Sequence, residues 1–336
     1  MIHGRRSVEL SNEVLRVTVL VGGGHIAELA LLDDPVNPLW VPPWPSIEPR
    51  DFDPGIYTLY GNDAESRLLA GIMGHNLCFD FFGGPSPEEA AAGLAVHGEA
   101  PVLDWVIEPD EEGLLAQVEL PLAGMRVERR LRLEPGRPLL RVAETVENLT
   151  AVDRPVGWTQ HVTLGPPFLA PGRTVINLPA TRSKVYESDF TDGKGRMKPG
   201  AEFDWPMCPT IDGEPIDLRQ TSTEPVSAGY TAHLLDPARE EAWFTACNPD
   251  LNLTLGYTWR RSDFPWLGIW EENHCREHSP WNGKTLTRGL EFGVSPFPES
   301  RRAMVDRGTL FGQRCGRWIP AWGRVTVEYG AFLGKD

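Results

Sequence analysis

The chain predicts an all-β fold, a large antiparallel β-sandwich in a single domain over residues 1–336, and three observations lead there. Met125, Val127, Leu131 and Leu133 alternate with Arg126, Glu128, Arg130 and Arg132, a period of two with one charged face. β-rich runs recur at roughly regular spacing between Gly and Pro turns. Amphipathic helical patterns are almost lacking, which argues against an α/β architecture. No shift in composition marks a linker, and no repeat or low-complexity tract is apparent.

In chain order, Val14 to Val21 and His25 to Leu32 read as strands joined through Gly22-Gly23-Gly24. A phosphate loop would need a helix next, and strand-like residues follow instead. Asp33 to Pro54, with NPLWVPPWPSIEP, is too rich in proline for a helix or central strand, so it reads as a long ordered loop over a cleft. Ser86 can cap a short helix with Pro87 in its first turn and Glu88 and Glu89 at the positive end of its dipole. Strands then follow. Met125 to Leu133 is succeeded, after the Pro135-Gly136 turn, by Leu140, Val142 and Val146, and Arg129 interrupts the apolar side once. Further strands are expected at Val102 to Glu108, Leu115 to Leu120, Val156 to Leu164, Tyr230 to Leu235, Ala242 to Cys247, Leu251 to Trp259, Trp266 to Trp270, Arg288 to Val294 and Arg324 to Phe332. Lys184 to Trp205, with Asp192-Gly193-Lys194-Gly195, is the most polar irregular stretch and reads as a flap.

Composition narrows the partners. With 336 residues and 41% apolar content there is material for a large core. Forty-seven acidic residues against 32 basic ones give a net charge of −15, which repels nucleic acid and anionic membrane. Cys78, Cys208, Cys247, Cys275 and Cys315 are scattered, odd in number and without a CxxC pair, the pattern of reduced thiols. Met1 to Leu10 carries two arginines and no apolar run, so neither a signal peptide nor a membrane span is expected and the location implied is cytoplasmic.

The densest stretch is Gly74 to Ala100, GHNLCFDFFGGPSPEEAAAGLAVHGEA, which sets an aromatic-walled turn, an acidic helix and a His-Gly corner together. Its spacing, Gly74-x-x-Leu77-Cys78-Phe79-x-Phe81-Phe82-Gly83 and Gly93-Leu94-x-x-His97-Gly98-x-Ala100, resembles the segment that opens the sugar site of aldose 1-epimerase-like proteins. The resemblance extends from about Leu69 to Phe332. It implies the galactose mutarotase-like supersandwich, a sugar substrate and no cofactor.

Changing the anomer of a sugar requires a base at the C1 hydroxyl and an acid at the ring oxygen, and a carboxylate and a histidine on opposite sides of the ring can supply both. His161, in VGWTQHVTL after Glu147-Asn148-Leu149-Thr150, resembles the family's acid. Glu291, in RGLEFGVSPFP, resembles its base, and its glycine neighbours leave room for a ligand. On their own these would be an ordinary strand histidine and a solvent-facing strand glutamate; the resemblance is what gives them roles. The same resemblance makes His97 of the His-Gly corner a sugar-binding residue. Arg67, His75 and Asn76, just before it, have side chains suited to sugar hydroxyls. Among twelve tryptophans, most are expected in the core, and Trp270 of FPWLGIW is the candidate to stack on a pyranose.

The pattern departs from the hexose-phosphate branch of the family. Pro101 stands where an arginine is expected after the His-Gly pair, and Ile72-Met73-Gly74 replaces an Arg-Gly-Gly entry. Phosphate recognition favours bidentate arginine, so the departures count against a phosphorylated substrate and leave an unphosphorylated or unusual sugar. Two rival readings are a non-catalytic sugar-binding protein on the same fold and a metal-assisted carbohydrate lyase or hydrolase. The latter would use His274 and His278, which a helix would place on one face. The leading expectation is an aldose 1-epimerase-like isomerase without metal, as a monomer or homodimer.

Overall fold

In the computed structural model, which describes residues 1–188, 191 and 193–335, two large antiparallel sheets face each other across a shared core. The 11-stranded sheet runs β1 (Ser7–Ser11), β2 (Leu15–Leu20), β3 (Ile26–Leu31), β4 (His75–Asp80), β9 (Arg154–Leu164), β19 (Leu286–Gly293), β18 (Trp266–Asn273), β15 (Ser227–Leu235), β11 (Ala180–Val185) and β12 (Glu202–Asp204). A side strand, β22 (Arg317–Ile319), pairs with the start of β9. The 8-stranded sheet runs β10 (Val175–Asn177), β16 (Glu241–Asn248), β17 (Leu253–Arg260), β23 (Arg324–Gly334), β8 (Leu139–Asn148), β7 (Met125–Leu133), β6 (Gly113–Leu120) and β5 (Val106–Asp110). Two small hairpins, β13 (Met207–Cys208) with β14 (Ile216–Asp217) and β20 (Thr309–Leu310) with β21 (Gln313–Arg314), complete the strands.

The alternation read in β7 is realised as buried Met125, Val127 and Leu131 between more exposed charged residues. Its one exception has a partner. Arg129, 1% exposed, lies opposite Glu144 of β8 in register and pairs with it at 2.7 Å, while its Nη1 donates to the Gly24 carbonyl at 2.9 Å. Glu144 also accepts from Trp158 Nε1 and from Gln160 Nε2 of the facing sheet. A buried charge pair of this kind persists only when every lone pair is used, and here it ties the two sheets together.

Helices are few and short. Among the described residues none is long and apolar enough to cross a membrane. Ser86 caps α2 (Pro87–Ala91) in a capping box with Glu89. The sequence reading passed over α1 (Ser66–Gly71) and α3 (Arg301–Arg307), although Ser300 caps the latter and Gly308 ends it. Two further differences concern strands. The run expected from Val102 begins only at Val106, because residues 101–103 form a turn behind the buried Trp105. The stretch expected to be a flap includes the end of β11 and the edge strand β12, with Asp189, Phe190 and Asp192 outside the described residues.

Candidate active site

Four neighbouring strands put one residue each into a row across the outer face of the larger sheet: Asn76 of β4 pairs with His161 of β9, His161 with Glu291 of β19, and Glu291 with Gly268 of β18. Register partners share a face, so the row is fixed by backbone pairing alone. His161 Nε2 lies 3.0 Å from Glu291 Oε1, and the two residues are 5% and 2% exposed. The approach is close but not aligned as a hydrogen bond, because Glu291 Oε1 has no hydrogen-bond partner among the described residues. His161 Nδ1 faces Thr163 Oγ1 at 3.0 Å, which holds the ring from behind.

Glycine at 289 serves the carboxylate. A Cβ there would sit 2.3 Å from Glu291 Oε1, so the space left by the small neighbour is occupied by the glutamate's own head. Asn76 turns its amide toward Cys78 Sγ, 3.8 Å away, and leaves Oδ1 without a hydrogen-bond partner among the described residues. Burial and the Glu291 charge push the Cys78 thiol well above its ordinary value, which keeps it protonated and a poor nucleophile.

His97 reaches the row from a corner that only a particular backbone permits. Gly98 has φ of +80°, and a Cβ there would lie 2.0 Å from the Phe79 carbonyl oxygen. The corner is pinned by Phe79 N–H donating to the His97 carbonyl at 3.0 Å and His97 N–H donating to Gly83 at 2.9 Å. The His97 ring lies 5.2 Å from that of His161, and its Nδ1 meets the Phe82 carbonyl. Desolvation, the His161 charge and Arg276 push His97 down to about 3. It is therefore neutral, with the proton on Nδ1 and a lone pair on Nε2, and can accept a hydrogen bond from a ligand hydroxyl.

Trp270, half-buried, closes the other side with its ring 5.9 Å from His161 and 6.2 Å from Trp281. Trp281 stacks on Trp40 at 6.3 Å and meets Trp44 at 5.0 Å. Trp40 is held on the sheet by its N–H to the Thr163 carbonyl at 2.8 Å. The proline-rich loop thus supplies an aromatic wall above the row.

Other expected residues lie elsewhere. His75, expected to contact sugar, is one residue from Asn76 and so faces the opposite way, into the space between the sheets. There it is 0% exposed, bonded to Gln160 Oε1 at 3.0 Å and to Tyr257 Oη at 3.2 Å, and burial holds it well below its ordinary value. Arg67 is exposed on α1. The arginine against the aromatic wall is Arg276, from the irregular connection after β18. Its guanidinium lies 4.5 Å from the Trp281 ring and 6.0 Å from Trp270, and it pairs with Glu65 at 3.2 Å and Glu272 at 3.5 Å.

The helix that would align His274 with His278 does not form: both lie in an irregular connection, and His274 Nδ1 contacts the Gly283 carbonyl at 2.8 Å. Among the described residues no group of three or more His, Cys, Asp or Glu side chains converges in a way that would hold a metal. The rival metal reading loses the geometry on which it was built.

A sandwich of this size with a polar row on the outer face of its larger sheet defines a class, and solved structures place it. The fold is that of the galactose mutarotase-like proteins. A candidate aldose 1-epimerase from Klebsiella pneumoniae superposes with TM-score 0.68 at 13% identity, over 96% of this chain and 77% of the other. Another candidate aldose 1-epimerase, from Escherichia coli K12, gives 0.64 at 15% identity over 99% and 100% of the two chains. A galactose mutarotase-like protein from Clostridium acetobutylicum gives 0.63 at 12% identity over 100% and 97%. At such identities the likeness is one of fold. No family model matches the chain, and no curated protein matches its sequence.

Proposed function

We propose that the protein interconverts the anomers of an unphosphorylated aldose by ring opening, with Glu291 as base and His161 as acid. The observation that carries this is the pair itself: an imidazole nitrogen and a carboxylate oxygen 3.0 Å apart, buried, and walled by aromatic rings. A sugar that seats here parts the His161–Glu291 contact; Glu291 then takes the proton of the C1 hydroxyl as His161 gives one to the ring oxygen and the C1–O5 bond breaks. Rotation about C1–C2 in the open aldehyde, followed by the reverse transfers, closes the ring as the other anomer. Protons balance within the pair, so the cycle consumes none.

His97 Nε2 and Asn76 Oδ1 are acceptors for sugar hydroxyls, and the Trp270 face suits the C–H side of a pyranose. Arg276 is already paired with Glu65 and Glu272, which favours a substrate without phosphate. The test is polarimetry on freshly dissolved single anomers of D-glucose, D-galactose and L-arabinose. Wild type speeds the approach to equilibrium for at least one sugar, and Glu291→Gln slows that by about 10²- to 10⁴-fold. A wild type that binds a sugar but leaves its rotation decay at the spontaneous rate would transfer the assignment to the sugar-binding alternative.

A further inference from the structure

Behind Trp270 and Gly289, on the reverse side of the same strands, lies a second cavity of about 350 Å³, a size within the usual range for small-molecule sites. Ser227, Glu271 and Arg288 form its buried part, 7%, 6% and 1% exposed. Glu271 and Arg288 are register partners on β18 and β19, one step along from Trp270 and Gly289, so the pleat sends them away from Glu291. Gln220, Ser222 and Thr223 line the cavity from the more exposed loop ahead of β15.

The charges in it are arranged unusually. Arg288 donates from its two terminal nitrogens to the Gln220 and Leu218 carbonyls, which fixes the loop as a wall, and leaves Nε without a hydrogen-bond partner among the described residues. Glu271 accepts from Ser227 Oγ at 2.6 Å, and that hydroxyl accepts from Asn273 Nδ2 at 2.8 Å. Glu271 and Arg288 influence each other electrostatically, yet among the described residues no salt bridge joins them. Opposite charges buried apart on one cavity wall pay for desolvation without the contact that normally offsets it. A molecule that donates to the carboxylate while accepting from the guanidinium supplies that contact.

The ligand chemistry follows from what is left unpaired. Asp217, Glu224 and Glu271 outnumber Arg196 and Arg288 among the charged lining residues, and Arg196 is occupied by Glu224 and by Asp212 at 3.2 Å. The balance disfavours an anion. Ser222, Thr223 and Gln220 offer neutral hydrogen bonds, and Met197, Ile216 and Leu218 offer an apolar strip. We propose that this cavity is a second binding site, for an uncharged polyhydroxylated molecule of monosaccharide size whose adjacent hydroxyls bridge Glu271 and Arg288. The inference does not rest on the proposed anomerase reaction.

The test is calorimetric and ligand-observed NMR titration of wild type, Glu271→Gln, Thr223→Trp and His97→Ala with D-glucose, D-galactose, L-arabinose and myo-inositol. Thr223 is exposed on the rim, so its tryptophan variant blocks the entrance without disturbing the core, and circular dichroism checks the fold of each variant. At least one probe binds wild type, loses about tenfold or more in affinity in Glu271→Gln and in Thr223→Trp, and retains a binding event in His97→Ala. The inference is overturned if no probe binds, if every binding event disappears with His97→Ala and survives Thr223→Trp, or if inorganic phosphate binds in a manner abolished by Thr223→Trp. Anomerisation rates measured on the same variants report on the reaction separately.

Discussion

Strands β4 and β9 carry polar residues on both faces, the inner ones meeting Glu144 of β8 and Arg129 of β7 from the other sheet, and the two sets are finished differently. On the inner face His75, Gln160, Glu144 and Arg129 form a linked network with Tyr257 and Tyr329: Glu144 accepts from three side chains, and Gln160 Oε1 serves both His75 and Tyr329. On the outer face, which β19 extends, Glu291 Oε1 and Asn76 Oδ1 are buried without hydrogen-bond partners among the described residues; Arg129 Nη2 of the inner network also lacks an aligned bond but lies 2.7 Å from Glu144, whereas Asn76 Oδ1 has no ion-pair contact either. Buried polar atoms are normally satisfied, and exceptions gather where a ligand completes them. The inner row is thus read as stability and the outer row as binding and chemistry.

The largest expected effect comes from acid, which acts on buried histidines of both faces. His25 and His233 are pushed down to about 3 by burial, His97 likewise, and His75 falls well below its ordinary value. Unfolded histidine titrates near 6.5, so below that pH the unfolded chain takes up as many as four protons that the folded chain refuses. Stability therefore falls as pH drops from about 6.5 toward 3, by about 1.4 kcal/mol per pH unit for each histidine. Urea midpoints from pH 7.5 to 4.5 check this; a midpoint flat between pH 7 and 5 would contradict it.

Next in size is Glu144→Ala, which strands Arg129 in the core and should cost about 3–5 kcal/mol in the urea unfolding free energy. A loss below 1 kcal/mol would mean that the inner network carries little stability. Gly98→Ala sets a Cβ against the Phe79 carbonyl in left-handed backbone and should cost about 1–3 kcal/mol while displacing His97. It should raise KM more than it lowers kcat, and unchanged sugar binding would remove His97 from the outer row. The smallest expected effect is that of EDTA: with acid and base supplied by side chains, turnover should be unchanged. Turnover lost to EDTA and restored by zinc would count against Glu291 and His161 acting alone.

Much of the fold was legible because period two is a local signal: β7, β8, β9, β18, β19 and β23 fall close to the runs read from the sequence. What escaped was set by distant contacts. Strand β4 lies in a segment that reads as an aromatic turn, and its pairing with β9 is a long-range contact that no local pattern announces. His75 was expected at the sugar because nothing local says which way it faces; once β4 is seen to pair Asn76 with His161, the period alone sends His75 inward. Arg276 was hidden because its neighbours, Trp270, Trp281 and Glu65, meet it only through the folded loops. The cavity at Glu271 and Arg288 was equally invisible, since neither residue breaks a strand pattern.

The sharpest measurement compares two adjacent residues of β9 that face opposite ways: Gln160→Met, which should unsettle His75 and Glu144, and His161→Asn. Anomer exchange by NMR and urea unfolding are recorded on both under identical conditions. Gln160→Met should lose stability by about 1–3 kcal/mol and keep its turnover per folded molecule, whereas His161→Asn should keep its midpoint and lose about 10²- to 10⁴-fold in kcat. A His161→Asn protein that exchanges anomers at the wild-type rate would contradict the account.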